Sequence, residues 1–526
     1  MPDGTSKHST VKRRLPFLAL DSRFQTILYL AAIILFGLLL RIWHLPNEVA
    51  WYDEVVSLRV LDSTDIVEYW QRQSVSDPYS LVAPIYFTLG YFWGRLTSPS
   101  VLAARTLSVI LGVLAMAAVY ALAERLYGKA AGLVAAFCFG VALPHVYFSQ
   151  EIRMYSLIAL LIAVTNYAFL RAFYENGIRW MIVHIICNAL IAWSHAVATP
   201  MFVVQGLFLC VFCFRRLRNL VIWMSSHLVL LIGYFLWVRS VKERFGLDVS
   251  WLAPPGLREF PNLLFIFSGG RHSNLDPSEY LPLGRSFETV LVLLYGLSIV
   301  WVGWRSFADL RNADRPDRRA IARKRLESFL FLSGWLVLPP LFVFAKSHVG
   351  RSYWSFRYVL YSALPLYILA GAAFSSMPTK RVRHALVVIF LLVWGYQASV
   401  MGEPFRQDYR TAARMIQERY SDDDAVLTLK RFNTESFRFN ADIPDDKIQY
   451  VEGIQEIREI SVEAHTQGRT VWIVFSRWDA LADFDEYLEA QRISFSATRL
   501  TGIPPLFLYH LPANQTTSSR PVTSVQ

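Results

Sequence analysis

Long apolar runs recur along this sequence, and they constrain its fold more than any other feature. A helix needs about 20 mostly apolar residues to cross about 30 Å of hydrocarbon. The first run extends from Phe24 to Ile42, and the others lie near 101–123, 130–148, 154–170, 180–198, 199–214, 219–239, 286–304, 327–345, 358–374 and 384–401. Of all residues, 54% are hydrophobic and 18% are charged, whereas soluble domains carry about 25% charged residues. The pattern predicts an all-α polytopic membrane protein with about 11 transmembrane helices.

The loops between these runs differ in charge, and the difference predicts their side of the membrane. If the runs alternate in direction, the loops on the side of the N-terminus are 124–129, 171–179, 215–218, 305–326 and 375–383. These loops are rich in Lys and Arg, which is typical of cytoplasmic loops. We therefore expect a multi-pass protein of the inner (plasma) membrane with a cytoplasmic N-terminus. The net charge of +11 follows from this bias, so no nucleic-acid partner is expected.

The other segments predict the domain organisation. We expect a cytoplasmic leader, a membrane domain with two large outside loops, a small soluble α/β domain outside the cytoplasm and a disordered tail. Their bounds are 1–23 for the leader, 24–401 for the membrane domain, 43–100 and 240–285 for the loops, 402–512 for the soluble domain and 513–526 for the tail. The soluble domain is predicted from apolar strand-like runs at 425–429, 470–475 and 506–511 and helical periodicity at 408–420 and 478–491.

Residues 81–97 test the count of crossings. They are apolar, but Pro84, Gly90 and Gly94 interrupt them, and the run is shorter than a full span. A crossing here would also place the basic loop 305–326 on the outside. We therefore interpret the segment as an interfacial or re-entrant helix.

Two adjacent carboxylates, Asp53 and Glu54, follow Trp51 and Tyr52 at the outer end of the first run. One interpretation is a solvated helix start, where acidic residues suit the helix dipole. The other is a catalytic pair at the membrane surface. The pair alone favours the first interpretation.

Further charged residues lie at the same predicted side of the membrane. Charges at this depth are costly unless they are paired or functional. They are Arg105 at the outer end of the second run, Glu151, Arg153 and Tyr155 in the turn between the third and fourth runs, and Arg357 and Tyr358 at the start of the tenth. A Glu151–Arg153 ion pair and an Arg105 side chain that reaches the headgroups are the structural alternatives. Together these residues predict a functional surface outside the cytoplasm.

The order of short motifs resembles a known family. These motifs are WYDE at 51–54, APIYF at 83–87, AARTLSVILG at 103–112, SQEIRMYSL at 149–157, WSHA at 193–196 and FRYVLYSALP at 356–365. The chain resembles, over roughly residues 24–374, the bacterial branch of the protein O-mannosyltransferase family (family 39-like), which includes the lipid A aminoarabinose transferases. The resemblance implies a GT-C membrane fold. It also implies transfer of a sugar from a polyprenyl-phosphate carrier, outside the cytoplasm, to a glycan, lipid or protein acceptor.

The resemblance also implies roles for the charged residues. It places the catalytic base at Asp53, and one base with direct displacement would invert the anomeric carbon. Glu54 and Glu151 would orient the acceptor, hold the neighbours of Asp53 in place or bind a divalent ion, and no metal ligands are assigned. Arginine forks suit a lipid phosphate leaving group, so the predicted phosphate-binding residues are Arg105, Arg153, Arg351, Arg357 and Tyr358. The predicted substrate-binding residues are Tyr52, Tyr86, Tyr155 and His195, with a core histidine and an aromatic belt as alternatives for His195 and Tyr86.

The sequence departs from its relatives in places that concern the substrate. The segment Ala83-Pro84-Ile85-Tyr86 contains no lysine, whereas the aminoarabinose enzymes carry one there, and this disfavours the same substrate. Tyr155 stands where some relatives carry an aspartate. Two other functions stay open from the sequence, a transporter or flippase of lipid-linked sugars and a ligase that moves a whole glycan.

Overall fold

The computed structural model describes residues 23–175, 177–212, 217–247, 252–270, 284–400, 406–476, 484–501 and 505–513. Nearly all of the predicted leader, most of the predicted tail and part of the 240–285 loop lie outside the described residues. The described part consists of a helical membrane region followed by a mixed α/β region.

Helices make up the membrane region and the loops that join them. In chain order they are α1 (Arg23–Ile42), α2 (Tyr52–Leu58), α3 (Ile66–Ser76), α4 (Pro84–Leu96), α5 (Val101–Tyr127), α6 (Lys129–Val141), α7 (Leu143–Ser149), α8 (Tyr155–Phe169), α9 (Ile178–Ser194), α10 (Pro200–Phe212), α11 (Leu217–Phe245), α12 (Glu259–Phe267), α13 (Gly284–Arg311), α14 (Pro316–Ser347), α15 (Leu364–Ser376) and α16 (Lys380–Val400). A 3₁₀ segment, Phe356–Ala363, leads directly into α15. Each predicted apolar run coincides with a helix or a pair of helices.

Seven helices in the described residues are long and apolar enough to cross a membrane, and the number is eight if the bent pair α6–α7 forms one span. The predicted total of about 11 also counted α9 and α10, which are apolar but shorter than 18 residues, and α16. The predicted fold class, an all-α polytopic membrane protein with a small α/β region, is confirmed. Helix α4 has 13 residues and rises about 20 Å, so it is too short for a full crossing, as its sequence predicts.

The bend between α6 and α7 measures 63°, and a buried arginine stabilises it. Pro144 lies in the first turn of α7, and the bend leaves carbonyl groups without helical partners. Arg41 of α1 donates to the Gly140 carbonyl oxygen at 2.8 Å and to the Ser149 hydroxyl at 3.1 Å. The bend directs the end of α7 into the turn at 150–154, which carries site residues.

The C-terminal region contains a five-stranded sheet in the order β2-β1-β3-β5-β4. Its strands are β1 (Ala425–Leu429), β2 (Ile448–Val451), β3 (Val471–Ser476), β4 (Ser496–Leu500) and β5 (Leu506–Leu511). β1 is parallel to β2 and β3, and β5 is antiparallel to β3 and β4. Its helices are α17 (Tyr409–Gln417), α18 (Arg431–Asn440), α19 (Ile454–Thr466) and α20 (Phe484–Ala490). The three predicted strands are confirmed as β1, β3 and β5.

Two apolar layers cover the sheet, and one of them reaches the membrane region. Tyr409 and Phe437 pack on one side, and Ile457 and Phe484 pack on the other. Val49, from the loop before α2, is buried in the first layer. The C-terminal region therefore packs against the segment that carries the acidic pair.

Candidate active site

Asp53 and Glu54 lie in the first turn of α2 and point in different directions. Neighbouring residues are about 100° apart around a helix, so the two carboxylates reach different surroundings. The Glu54 side chain is 0% exposed, and that of Asp53 is 21% exposed. Two charge clusters result, one closed to solvent and one partly open.

The closed cluster is Glu54 with Arg105 and Arg406. Arg105 donates from Nε to Glu54 Oε1 at 3.0 Å and from Nη2 to Oε2 at 2.8 Å. Arg406 donates to Oε2 at 2.7 Å, and the backbone N–H of Ile152 donates to Oε1 at 3.1 Å. Burial raises the pKa of Glu54, but the charges of Arg406 and Arg105 exceed that effect and hold the pKa below its ordinary value. Glu54 is therefore an ionised carboxylate with all partners supplied by the protein.

Arg105 has no free donor. Besides its two bonds to Glu54, it donates to the carbonyl oxygens of Leu45 at 3.0 Å, Glu48 at 2.9 Å and Val49 at 3.3 Å. These five contacts match the five N–H groups of a guanidinium, and the side chain is 1% exposed. This geometry disfavours the predicted phosphate-binding role of Arg105 and favours a role in holding the loop before α2.

The open cluster is Asp53 with Arg153, Arg357 and Asp77. Arg357 Nη1 donates to Asp53 Oδ2 at 3.0 Å, and Arg153 Nη2 lies 3.5 Å from Asp53 Oδ1. The other side of Arg153 contacts Asp77 at 3.4 Å. Nε of Arg153 is buried and has no hydrogen-bond partner among the described residues. Two carboxylates thus alternate with two arginines, and donor capacity remains.

Aromatic rings surround the open cluster. The Arg357 guanidinium lies 5.5 Å from the Trp51 ring and 5.4 Å from the Tyr358 ring. The His195 ring, at the end of α9, is 5.0 Å from Tyr358 and 6.2 Å from Tyr155. The structure therefore brings together residues predicted from separate motifs.

Tyr86 and Tyr52 border the same cluster from α4 and α2. The Tyr86 hydroxyl and the Ser108 hydroxyl are 2.7 Å apart, and Ser108 donates to the Arg153 carbonyl oxygen at 3.4 Å. Tyr86 is 1% exposed. Through Ser108 it supports the backbone of the turn at 150–154. Burial is the main cause that raises the pKa of Tyr52, and the charge of Arg431 in α18 opposes it.

Glu151 interacts electrostatically with residues of both clusters. The residue is 0% exposed, and neither carboxyl oxygen has a hydrogen-bond partner among the described residues. Burial raises the pKa of Glu151 to about 7, while Arg406 and Arg357 lower it and Glu54 and Asp53 raise it further. The predicted Glu151–Arg153 ion pair is not among the described ion pairs, since Arg153 contacts Asp53 and Asp77. A carboxyl group with a pKa near neutral can exchange a proton at physiological pH.

Arg351 occupies a different position from the other predicted phosphate-binding residues. Its side chain is exposed, and Nη1 donates to the Leu247 carbonyl oxygen at 3.3 Å. This contact ties the loop before Phe356 to the end of α11. The open cluster is thus built from Arg153 and Arg357 without a described contact to Arg351.

Two residues of the site were missed from the sequence. Asp77 ends α3 and faces Arg153, and burial raises its pKa while the Arg153 charge opposes the shift. Arg406 lies just after the last membrane helix. Its position in a short polar segment, PFRQD at 404–408, gave no sign that its side chain would be buried.

No group of three or more His, Cys, Asp or Glu side chains in the described ranges is arranged to hold a metal ion. Both oxygens of Glu54 accept hydrogen bonds from guanidinium groups, which disfavours a cation at that carboxylate. The open cluster favours an anion instead, because its buried atom without a described hydrogen-bond partner is the N–H donor Arg153 Nε.

A cavity of about 430 Å³ lies elsewhere in the membrane region. Its lining is apolar and includes Phe137, Leu294, Phe374 and Leu391. No residue of either charge cluster lines it. Its apolar lining suits hydrocarbon better than charged groups.

A buried polar cluster joins α8, α9, α10 and α11. Asn188 Nδ2 lies 2.7 Å from His227 Nε2 and donates to Gln205 Oε1 at 3.1 Å. Thr165 donates to Asn188 Oδ1 at 2.7 Å and lies 2.9 Å from His184 Nδ1. Polar side chains that bond to one another across helices stabilise membrane bundles, and this cluster fits that role.

Part of the sequence matches a known protein family. Residues 83–237 match the family described as dolichyl-phosphate-mannose-protein mannosyltransferase. The predicted family resemblance is confirmed there. The match includes α4, α5 and the turn with Glu151 and Arg153, and it covers less than half of the chain. No curated protein matches the sequence. The match supports a membrane glycosyltransferase and leaves its sugar and acceptor open.

A search of solved structures finds matches at low identity. ArnT from Cupriavidus metallidurans, also solved with undecaprenyl phosphate, is 13% identical, with a TM-score of 0.49 over 92% of this chain and 98% of that one. The Archaeoglobus fulgidus oligosaccharyltransferase AglB, solved with an inhibitory peptide and a dolichol-phosphate, is 13% identical, with a TM-score of 0.49 over 94% of this chain and 75% of that one. The mycobacterial arabinofuranosyltransferase AftD is 14% identical, with a TM-score of 0.46 over 94% of this chain and 42% of that one.

Proposed function

We propose that this protein transfers a sugar from a polyprenyl-phosphate donor to an acceptor hydroxyl, outside the cytoplasm, at the surface of the inner (plasma) membrane. The observation that carries the proposal is the open cluster, in which Asp53 lies between Arg153 and Arg357. A carboxylate and two arginines are the groups that this reaction needs at one point. The positive-inside charge bias supports the side of the membrane.

The two arginines would bind the donor phosphate. As the bond between the sugar and the phosphate breaks, negative charge grows on the phosphate, and fixed guanidinium groups stabilise it. Arg153 has a buried Nε without a described partner, and Arg357 uses only Nη1 in its bond to Asp53. Both can therefore bind an anion without losing their described contacts.

Asp53 would take the proton of the acceptor hydroxyl. In the described state its two oxygens contact Arg357 and Arg153. The Asp53 carboxylate would not attack the sugar itself. The acceptor oxygen would attack the anomeric carbon directly, and the anomeric configuration would invert. The partly exposed position of Asp53 suits contact with an acceptor, whereas Glu54 is enclosed.

The remaining predicted residues fall into two groups under this proposal. Tyr155, Tyr358 and His195 form an aromatic wall beside Arg357 and would contact the sugar. Glu54 and Tyr86 hold the backbone of the site, and Glu151 would orient the acceptor through its carboxyl group. The described part of the C-terminal region packs beside α2, and this region would contact the glycan, lipid or protein acceptor. A polyprenyl chain would lie among the membrane helices with membrane lipids.

The test is sugar transfer by the full-length protein in lipid nanodiscs. Polyprenyl phosphates carrying single labelled sugars are supplied, together with acceptors identified by mass spectrometry of a deletion strain and its parent. We expect Asp53→Asn to lower kcat about 10²- to 10⁴-fold while undecaprenyl phosphate still binds. The matched control is Asp62→Asn, because Asp62 lies in the same loop and its side chain is 66% exposed. Transfer by Asp53→Asn at the wild-type rate would exclude Asp53 as the base.

The transporter alternative makes a different prediction. A transporter moves the intact lipid-linked sugar and releases no free polyprenyl phosphate. If wild-type protein moves the labelled lipid between leaflets without breaking the sugar–phosphate bond, the proposed function is wrong. A ligase would use oligosaccharide carriers and reject monosaccharide carriers in the same assay.

A further inference from the structure

Arg406 is a buried arginine that enters the site from the C-terminal region. It lies after α16, which ends at Val400, and two residues before Asp408, whose side chain accepts a hydrogen bond from the Thr411 N–H at the start of α17. The Arg406 side chain is 2% exposed. A buried arginine needs several acceptors, because isolated charges are costly in a dry site.

The contacts of Arg406 join two loops of the membrane region. Nη1 donates to Glu54 Oε2 at 2.7 Å, and Nη2 donates to the Gln150 carbonyl oxygen at 3.1 Å. The guanidinium carbon lies 5.6 Å from the Tyr147 ring. One side chain therefore fixes the acidic pair relative to the turn that carries Glu151 and Arg153.

Other contacts dock the C-terminal region around α2. Arg59, just after α2, forms an ion pair with Glu435 of α18. Val49, just before α2, is buried in the apolar layer with Tyr409. The segment with Asp53 and Glu54 is thus held at both ends by the C-terminal region.

Charge is the second link between Arg406 and the site. Among the groups around Glu151, Arg406 has the largest effect that favours the ionised carboxylate. The other titratable or charged groups that interact with Glu151 are Glu54, Arg357, Asp53, Tyr86, Tyr147 and Tyr155. Arg105 is already saturated by Glu54 and backbone carbonyl groups. Arg406 is therefore the cation that balances the second buried acid.

We propose that Arg406 is a positioning residue through which the C-terminal region completes the active site, by fixing the turn at 150–154 and by balancing the charge of Glu151. The catalytic meaning of this role rests on the proposed function. The structural and electrostatic parts do not, because they can be measured without sugar transfer.

The experiment uses the full chain in nanodiscs and three variants. Arg406→Gln removes the charge, and Arg406→Lys keeps the charge but loses the two-point contact. Arg410→Gln is the matched control, since Arg410 lies one turn further along and is exposed. The carboxylic C=O infrared band of Glu151, assigned by its loss in Glu151→Gln, is followed against pH.

We expect the midpoint of that band to move up by about one pH unit or more in Arg406→Gln, because an opposite charge has been removed. Arg406→Lys should return the midpoint towards the wild-type value, and Arg410→Gln should leave it unchanged. Amide hydrogen exchange at 150–154 should rise in both Arg406 variants. With a working donor, kcat should fall about tenfold in Arg406→Gln with the donor KM unchanged.

A midpoint in Arg406→Gln equal to that of the wild type would overturn the proposal. If Arg406→Gln does not fold, Arg406→Lys decides: a wild-type midpoint with faster exchange at 150–154 supports the proposal, and unchanged exchange overturns it. If the wild-type protein transfers no sugar while the band still responds to Arg406, the proposed function fails and the positioning role stands.

Discussion

The closed and open clusters begin at neighbouring residues and differ in almost every physical property. Glu54 is enclosed, and each of its oxygens accepts from an arginine, with a backbone N–H added at Oε1. Asp53 is partly exposed, and its partner Arg153 is shared with Asp77 and keeps an unsatisfied donor. The contrast shows that neighbouring acids in one motif can be separated by exposure and partners: the enclosed carboxylate, paired at both oxygens, holds the fold, and the partly exposed carboxylate can contact a substrate.

The largest effect should follow from opening the closed cluster. Glu54→Gln leaves Arg105 and Arg406 without a buried counter-charge, and removal of one partner of a buried ion pair costs about 3–5 kcal/mol. We expect a large fall in melting temperature and in the yield of folded protein, measured by fluorescence-detected chromatography after heating. Asp53→Asn is the control, because Asp53 is partly exposed and Arg153 keeps its contact with Asp77. Equal melting temperatures for the two variants would remove the distinction between the clusters.

Glu151 is buried like Glu54, but its carboxyl oxygens have no hydrogen-bond partner in the part of the chain that the structure describes. Its pKa in the folded protein, about 7, lies above the value of about 4.3 for an unfolded chain. The folded state therefore holds the proton more tightly. This stabilisation is complete below the unfolded value and is lost as the pH rises through about 7.

Glu151→Gln should consequently be more stable than the wild type at pH 8, by about 4 kcal/mol at most, and close to it at pH 4. Melting temperatures of both proteins across this range provide the measurement. A difference that does not change with pH would show that Glu151 does not titrate in this range.

Several residues that the sequence predicts for the site lie close together in the structure. Asp53, Arg153 and Arg357 lie near the ends of apolar runs, so alternating run directions predict one side of the membrane for all three. Strands β1 and β3 are central in the sheet and almost fully buried, so their sequences are continuous apolar runs. Such patterns are local and can be found without a structure.

The contacts that were missed depend on distant parts of the chain. Arg406 and Glu54 are 352 positions apart, and no local pattern indicates their pairing. Strands β2 and β4 lie at the two edges of the sheet, and their exposed residues weaken the apolar signal. The saturation of Arg105 is equally invisible in sequence, because three of its acceptors are backbone carbonyl groups.

Arg357 and Arg105 represent the open and the closed cluster, and the same substitution in each should have different effects. Arg357→Lys keeps the charge beside Asp53 but replaces a fork with a point charge, so we expect the KM for the donor to rise about tenfold with little change in melting temperature. Arg105→Lys should show the opposite pattern, with a lower melting temperature and little change in KM among the molecules that stay folded. Donor titrations of both variants check this, and a rise in KM only for Arg105→Lys would reverse the assignment.

The smallest effect is expected at Asp77. Asp77→Asn removes one of two carboxylates from Arg153, which leaves Arg153 freer to pair with Asp53. We expect a change of a few fold in kcat and a slightly tighter affinity for undecaprenyl phosphate, measured by titration in nanodiscs. Weaker lipid binding would show that Asp77 orients Arg153 towards the phosphate.

An experimental structure of the full-length protein with undecaprenyl phosphate would show directly whether Arg153 and Arg357 bind the donor phosphate. We expect a phosphate group within hydrogen-bonding distance of both arginines, with Asp53 beside it and Glu54 still held by its two arginines. A phosphate bound at Arg351 or at the apolar cavity, with Arg153 and Arg357 unchanged, would contradict it.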